Sequence, residues 1–296
     1  MKKIDEKKYG LLTAIDYKGS RGARVTYWCM FTFLILLCII SVVPVLYAFL
    51  SGFKELDEFY STNIKLLPNK IEFSKMIGII NELNLGRSFI NSMILFAIAW
   101  FGNVIVGGLA GYTISRLKPR GGNFLFKLML WTLMMPGTLT MVPLFMTWAD
   151  FPIIHMSYIN TFVPFVVSAW ANIFDILMFK NFFDGIPDSF IESAKLDGCG
   201  NVGIFLKIVF PLSMPIISTI SIFSFTASWN NFMGPFLYLK DPKLAPVALK
   251  LYNTVSAYTE PKQLLTSFIV MLPTLVVFLL FSKKILSNDM SAGIKE

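Results

Sequence analysis

Six long stretches of this chain carry no charge: 25–53, 88–115, 128–149, 151–174, 208–239 and 263–282. Each is at least 20 residues long, the length an α-helix needs to cross a hydrocarbon core of about 30 Å. The runs lack the short alternating segments of a membrane β-barrel. The pattern predicts an all-α polytopic membrane protein with six transmembrane helices, near 27–50, 88–113, 125–147, 156–180, 206–228 and 264–284.

One segment interrupts this pattern. IPDSFIESAKLDGCGNVGIFLKIVFPLSMP, residues 186–215, is polar in its first half and sits between the fourth and fifth apolar runs. Ser189 followed three residues later by Glu192 has the spacing of a capping box, and Gly185-Ile186-Pro187 supplies a turn before it. Ile191, Ala194 and Lys195 recur at helical spacing, and Gly198 and Gly200 let the chain leave the helix. A short helix outside the bilayer is expected. It is either a surface helix resting on the membrane or a lever that passes motion from a soluble partner into the spans, and spacing alone does not separate the two.

Composition narrows the class further. Hydrophobic residues make up 55% of the 296 and charged residues 15%, against about 25% charged in a soluble domain. No soluble domain of core-forming size is left outside the runs. The first run is too long for a cleaved signal peptide and no small-x-small site follows it, so it is expected to stay as an anchor. Cys29 and Cys38 lie inside that run and Cys199 in the polar loop, a spacing that fits neither a disulfide framework nor a metal site. His155, the sole histidine, reads as a loop or headgroup contact.

Charge sets the orientation. Residues 1–24 carry Lys2, Lys3, Lys7, Lys8, Lys18, Arg21 and Arg24, and the next loop on the same side carries Arg116, Lys118, Arg120 and Lys127 without an acid. The intervening segment 51–87 balances five basic against five acidic residues. By the positive-inside rule both termini face the cytoplasm. The net charge of +8 then reflects topology and contact with anionic lipid rather than nucleic-acid binding, because the basic residues flank spans instead of forming one aromatic-studded patch. The external segment 51–86 bridges two spans, and PNKIEFSKMIGIINEL within it reads as partly helical.

Inside the spans, GNVIVGGLAGY brings together Gly102, Gly107, Gly108, Ala110 and Gly111, small residues that let helices approach closely in lipid. Pro136, Pro143 and Pro164 remove backbone donors within the third and fourth spans and are expected to kink them. Asp175, near the end of the fourth span, faces either water or a partner. In SWNNF, Trp229, Asn230 and Asn231 combine an aromatic face and amides that a polar-ligand site uses; the same residues also serve as an interfacial anchor and a span-end cap. Tyr112 and Arg116 read as interfacial anchors of the second span.

ESAKLDGCGNVGIFLKIVFPLSMP resembles the EAA loop of permease subunits of bacterial ATP-binding cassette importers, with Glu192, Ser193 and Ala194 as the EAA element and Gly198, Ile208 and Pro211 at its later positions. Serine in the middle position and Cys199-Gly200 depart mildly from the pattern. SFINSM at 88–93, AGYTISRLKPRG at 110–121, MMPGTLTMVPLF at 134–145, FFDGIPDSFIESAKLDG at 182–198, SWNNFMGPF at 228–236 and SAGIKE at the end follow the order of the carbohydrate-uptake branch, in particular the MalG-type permease subunit. The resemblance covers most of the chain from about Arg87 onward.

That resemblance implies a type I ABC importer permease fold with a cytoplasmic coupling helix over about 188–200, in which Glu192, Ser193, Ala194, Asp197 and Gly198 meet a cleft of the ATPase subunit. It divides the chain into a cytoplasmic tail (1–26), a first transmembrane helix with its external segment (27–86), a core permease domain (87–285) and a cytoplasmic tail (286–296). The implied partners are a MalF-type second permease, two ATPase subunits and an extracytoplasmic solute-binding protein in the bacterial inner membrane. The chain has no Gly-x-x-x-x-Gly-Lys-Ser/Thr loop, so ATP and Mg2+ are expected in the ATPase partners and no cofactor on this chain. The expected activity is ATP-driven import of a sugar, an oligosaccharide first and a glycerol-phosphate or polyol as the alternative cargo. A secondary transporter would need an essential intramembrane acid, for which Asp175 is the candidate; a sensor subunit would dock its partner through the same helix without transport.

Overall fold

A computed structural model of the chain describes residues 21–62, 65–255 and 257–292, and every regular element among them is helical. The basic tail before residue 21 and the last four residues of SAGIKE lie outside the described residues. The chain forms two compact units, one ending at Glu72 and including Thr259–Phe268, the other comprising Phe73–Tyr258 and the chain from Ile269 on.

The first unit contains α1 (Arg21–Gly52), with Pro44 inside it. Its side chains from Trp28 to Tyr47 are largely exposed, which is stable for so apolar a helix only against lipid or another apolar helix. At its end Gly52 touches the chain again: an added Cβ would lie 2.6 Å from Leu265 Cβ. Phe49 packs on Phe268 with ring centroids 4.7 Å apart. The short α2 (Leu56–Phe59) follows, and the Lys54 ammonium donates to the Lys65 carbonyl at 2.6 Å.

The second unit opens with α3 (Phe73–Glu82), the helix expected within the external segment. Next comes α4 (Leu85–Leu117), α-helical except for π-helical turns at Gly102–Val106 and Thr113–Leu117. Then follow α5 (Gly122–Leu133) and α6 (Gly137–Ala149), α7 (Val163–Trp170) and α8 (Ile173–Asp184), and α9 (Asp188–Leu196). The chain continues through α10 (Asn201–Leu212) and α11 (Met214–Trp229), α12 (Met233–Tyr238), α13 (Val247–Val255) and α14 (Glu260–Ala292).

Four helices among the described residues are long and apolar enough to cross a membrane, Arg24–Gly52, Leu85–Leu117, Val163–Asp184 and Glu260–Phe281; two bent pairs raise the number to six if each is one span. The third predicted span is thus not one helix. It breaks by 100° between α5 and α6, where Pro136 forces an extended backbone with ψ at 125° and restricts Met135 before it. The fifth bends by 74° between α10 and α11. Pro211 and Pro215 each lack the N–H that would bond the preceding turn; a π-helical turn at Phe205–Val209 and the break at Ser213 are where the helix absorbs them. The fourth begins at Val163 rather than near 156, with Pro164 in its first turn, where a missing donor costs nothing. The final helix runs to Ala292, past the boundary of the expected tail.

The glycines of α4 allow close packing on the fourth span. A Cβ on Gly111 would lie 2.7 Å from Phe179 Cβ and 3.0 Å from the Lys180 nitrogen. One on Gly102 would overlap the Trp170 ring. This crossing leads into an apolar core that includes Val104, Tyr112, Phe179, Phe183, Ile204 and Val209.

Candidate functional site

The polar segment folds as the short helix that its spacing predicts, but not by the capping box. Pro187, with ψ at 136°, is itself the cap residue, and no side chain caps the helix. Because proline already fixes the turn, the helix starts at Asp188 and Ser189 lies inside its first turn. Asp188 at the first position and Lys195 in the last turn both suit the helix dipole. At the far end Gly198 adopts φ of 78°. The Gly198 and Cys199 N–H groups donate to the carbonyls of Lys195 and Ala194 at 3.0 and 2.9 Å, the Schellman arrangement that ends a helix on a left-handed glycine.

Two faces of α9 have different environments. Ile191 and Ala194 are buried in the core formed with Phe179, Phe183, Ile204 and Phe205. Glu192, Ser193, Asp197 and Gly198 are exposed. Leu196 is 89% exposed, and Phe190, Val202 and Leu206 are exposed as well. Ala194 therefore seats the helix on the rest of the chain, whereas the other four expected contact residues stand on open surface.

Arg116 fixes the approach to this helix. Its guanidinium pairs with Asp188 and donates to the carbonyls of Phe183 and Ile186. It thereby adds a charged donor to acceptors at the end of α8 and in the turn before α9, where the Phe183 carbonyl also accepts from the Ile186 N–H at 3.1 Å. Beside it, Asp184 accepts from Ser115 Oγ and Lys180 Nζ, each at 2.6 Å. Arg116 was expected only to anchor its own span. Its carbonyl partners lie 67 and 70 residues away, so local sequence held no signal for the tie. Tyr112, read as a second interfacial anchor, is buried, and its hydroxyl reaches the Asn201 carbonyl at 3.4 Å.

The SWNNF residues separate. Trp229 is 3% exposed, stacked between Phe89 and Phe225 with centroids 5.7 and 5.3 Å away, and its indole N–H donates to the Val270 carbonyl at 3.0 Å. It packs the core. Asn230 is exposed and donates to the Thr226 carbonyl at 3.0 Å. Asn231 accepts from the Gly234 N–H at 3.2 Å and borders a hollow of about 220 Å³. Asp175 is buried and accepts from Asn172 at 2.7 Å.

Residues 103–291 match the family described as binding-protein-dependent transport system inner membrane component. The polygalacturonan/rhamnogalacturonan transport system permease protein YtcP of Bacillus subtilis is 27% identical over 266 residues, covering 85% of this chain and 91% of that one. The arabinooligosaccharides transport system permease protein AraQ of Bacillus subtilis is 28% identical over 268 residues, covering 89% and 94%. The glucose import system permease protein GlcU of Saccharolobus solfataricus is 31% identical over 233 residues, covering 74% and 78%. Among solved structures, a chain of a bacterial ABC transporter involved in import of the acidic polysaccharide alginate superimposes with a TM-score of 0.79 over 89% of this chain and 98% of that one, at 20% identity. With its apolar helices, its exposed polar helix and a family match across most of its length, the chain belongs to the binding-protein-dependent transport system inner membrane components.

Proposed function

We propose that this chain is one of two homologous permease subunits of an ATP-driven importer, that it is of the MalG type, and that α9 is the coupling helix docking in a cleft of an ATPase subunit. The observation that carries this reading is the division of α9. Ile191 and Ala194 are buried in the same core as Phe179 and Phe183 of the fourth span, so a push on the helix is delivered to α8 and, through the Gly111 contact, to α4. Glu192, Ser193, Asp197 and Gly198, with Leu196 beside them, remain available to the partner. Close-packed interiors transmit such displacements because they deform little.

ATP binding in the partner draws the two coupling helices together and opens a central cavity outward; hydrolysis restores the inward-facing state. The two bent pairs fit this reading as broken spans, giving six crossings with both termini cytoplasmic. The second permease is a MalF-type homologue, and a solute-binding protein delivers cargo from outside. Oligosaccharide cargo is supported by the names of the arabinooligosaccharide and polygalacturonan permeases.

The test is ATP-dependent uptake of labelled arabinotriose, raffinose and glucose into proteoliposomes holding this chain with its co-encoded permease, ATPase and binding protein. Uptake by the native complex, lost in Gly198→Trp and reduced in Glu192→Ala while the complex stays assembled, is the expected result. Uptake that persists without the ATPase subunits would overturn the proposal.

A further inference from the structure

A second cavity, larger than the hollow that Asn103 and Asn231 line, lies at the C-terminal end of α4. It has a volume of about 670 Å³, and its walls come from the end of α4, the first turns of α5, the last turns of α8 and the first residue of α9. Five charged residues line it: Arg116, Lys118, Lys180, Asp184 and Asp188.

Four of the five are matched. Arg116 pairs with Asp188, and Asp184 accepts from Lys180 Nζ and Ser115 Oγ, each at 2.6 Å. Lys118 is the one left over. Its side chain is exposed, and its ammonium has no partner among the described residues. The two acids are thus already compensated, and the cavity keeps one positive charge in excess. Nor does the backbone ask for a cation there. Lys118 ends α4 with φ at 46° and its N–H donates to the Thr113 carbonyl at 3.0 Å, a position where glycine is the usual residue. Asn123, exposed on the same wall, adds a side-chain amide that is also unpaired among the described residues. A lysine ammonium with a free amide beside it is a donor set for phosphate oxygens.

Depth identifies the source of the phosphate. Leu117 is the last residue of an apolar helix long enough to cross a membrane, and α5 exposes Phe124, Leu125, Leu128 and Trp131 immediately beyond the cavity. The cavity therefore lies where apolar helix surface gives way to polar loop, the level of lipid headgroups. Arg120 and Lys127 are exposed on the same stretch, and no acid occurs from Arg116 to Lys127. Free phosphate would meet only the polar wall, whereas a phospholipid can also lay its chains on the exposed side chains of α5.

We propose that this cavity is a headgroup site for an anionic phospholipid, whose singly charged phosphodiester sits against Lys118 and Asn123. A choline headgroup carries its own cation and leaves the excess charge of the cavity uncompensated. The Arg116–Asp188 pair forms one wall, so occupancy reaches the turn before α9. The site goes beyond the import function and does not depend on it.

The test uses the assembled importer in nanodiscs of phosphatidylcholine alone, or of phosphatidylcholine and phosphatidylglycerol in equal parts. It carries Pro119→Cys, an exposed lining position, with the three native cysteines replaced by serine. Labelling by an uncharged maleimide is expressed relative to a thiol at Arg120→Cys, which lies on the same loop outside the lining and reports the surface potential alone. Phosphatidylglycerol is expected to slow this relative rate about threefold, the effect of two-thirds occupancy. Inorganic phosphate added to phosphatidylcholine discs should leave it unchanged. Lys118→Gln should abolish the protection, and Lys127→Gln, which removes the same charge outside the lining, should preserve it. Equal rates in both kinds of disc, or equal loss of protection in the two lysine variants, would overturn the proposal in favour of diffuse attraction. Protection by inorganic phosphate as strong as by the lipid would overturn the lipid assignment, and so would protection that follows the ATPase subunits rather than the lipid.

Discussion

The surroundings of α9 and the hollow near Asn103 are built largely from the same helices, yet they are opposite in character. Around α9 the contacts are apolar and tight: Phe179 and Phe183 are buried completely or nearly so, and Gly111 leaves no room for a methyl group. Around Asn103 the lining is polar, and one buried amide oxygen lacks a partner. A close-packed region moves as a body, whereas a hollow with spare hydrogen-bonding capacity can exchange its partners. One region is thus built to move as a body and the other to take new hydrogen-bond partners.

The contrast is most exposed to test at Arg116. Arg116→Met leaves the Phe183 and Ile186 carbonyls without their charged donor and is expected to cost about 2–3 kcal/mol. ATP-driven uptake should fall more than ATP hydrolysis, and a comparison of the two rates checks it. Equal loss of both would mean that the tie only maintains the fold.

Gly111→Ala forces a Cβ against Phe179 and the Lys180 backbone. Because neither can swing aside, overpacking of about 1–3 kcal/mol is expected, read as a lower thermal midpoint in detergent. Gly102→Ala should cost less, since the atoms it meets belong to the Trp170 ring, and Trp170 is partly exposed. Similar midpoints for the two variants would show that α4 and α8 are not close-packed near Phe179.

Gly198→Ala introduces a side chain at φ of 78° with open space around it, so only backbone strain of about 1 kcal/mol is expected, seen as a small drop in midpoint. Leu196→Ala, at 89% exposure, should leave stability within about 0.5 kcal/mol while weakening co-purification of the ATPase subunits. Asn103→Leu closes the series: it removes a buried oxygen that lacks a partner together with the donor to Ser224 Oγ, and is expected to change stability by no more than about 1 kcal/mol, as measured by the thermal midpoint without sugar. A large destabilisation would mean that the hollow is structural after all.

Much of this architecture was legible along the chain. The apolar runs located the helices, GNVIVGGLAGY marked a close crossing, and the polar segment after Pro187 announced a helix of its own. Pro136 marked the kink in the third span, but its size was not legible, nor was the bend in the fifth, because an uncharged run looks the same whether its helix is straight or bent by 100°. Nor was the helix cap: Ser189 and Glu192 have the capping-box spacing, but Pro187 starts the turn first. Trp229 read as a ligand ring or an interfacial anchor; its place in the core, stacked on Phe89 and Phe225, depends on residues 140 and 4 positions away.

The sequence by itself determined which segments prefer lipid and which prefer water, and, through the order of its motifs, the family. These follow from transfer free energies and from local backbone preferences that each segment carries alone. Only the tertiary structure decided that Ala194 faces inward while Leu196 faces out, that Arg116 holds the turn before α9, and that Asn103 keeps one oxygen unpaired. Each depends on groups brought together from distant parts of the chain, and the burial and hydrogen bonding that define them exist only once the helices have packed.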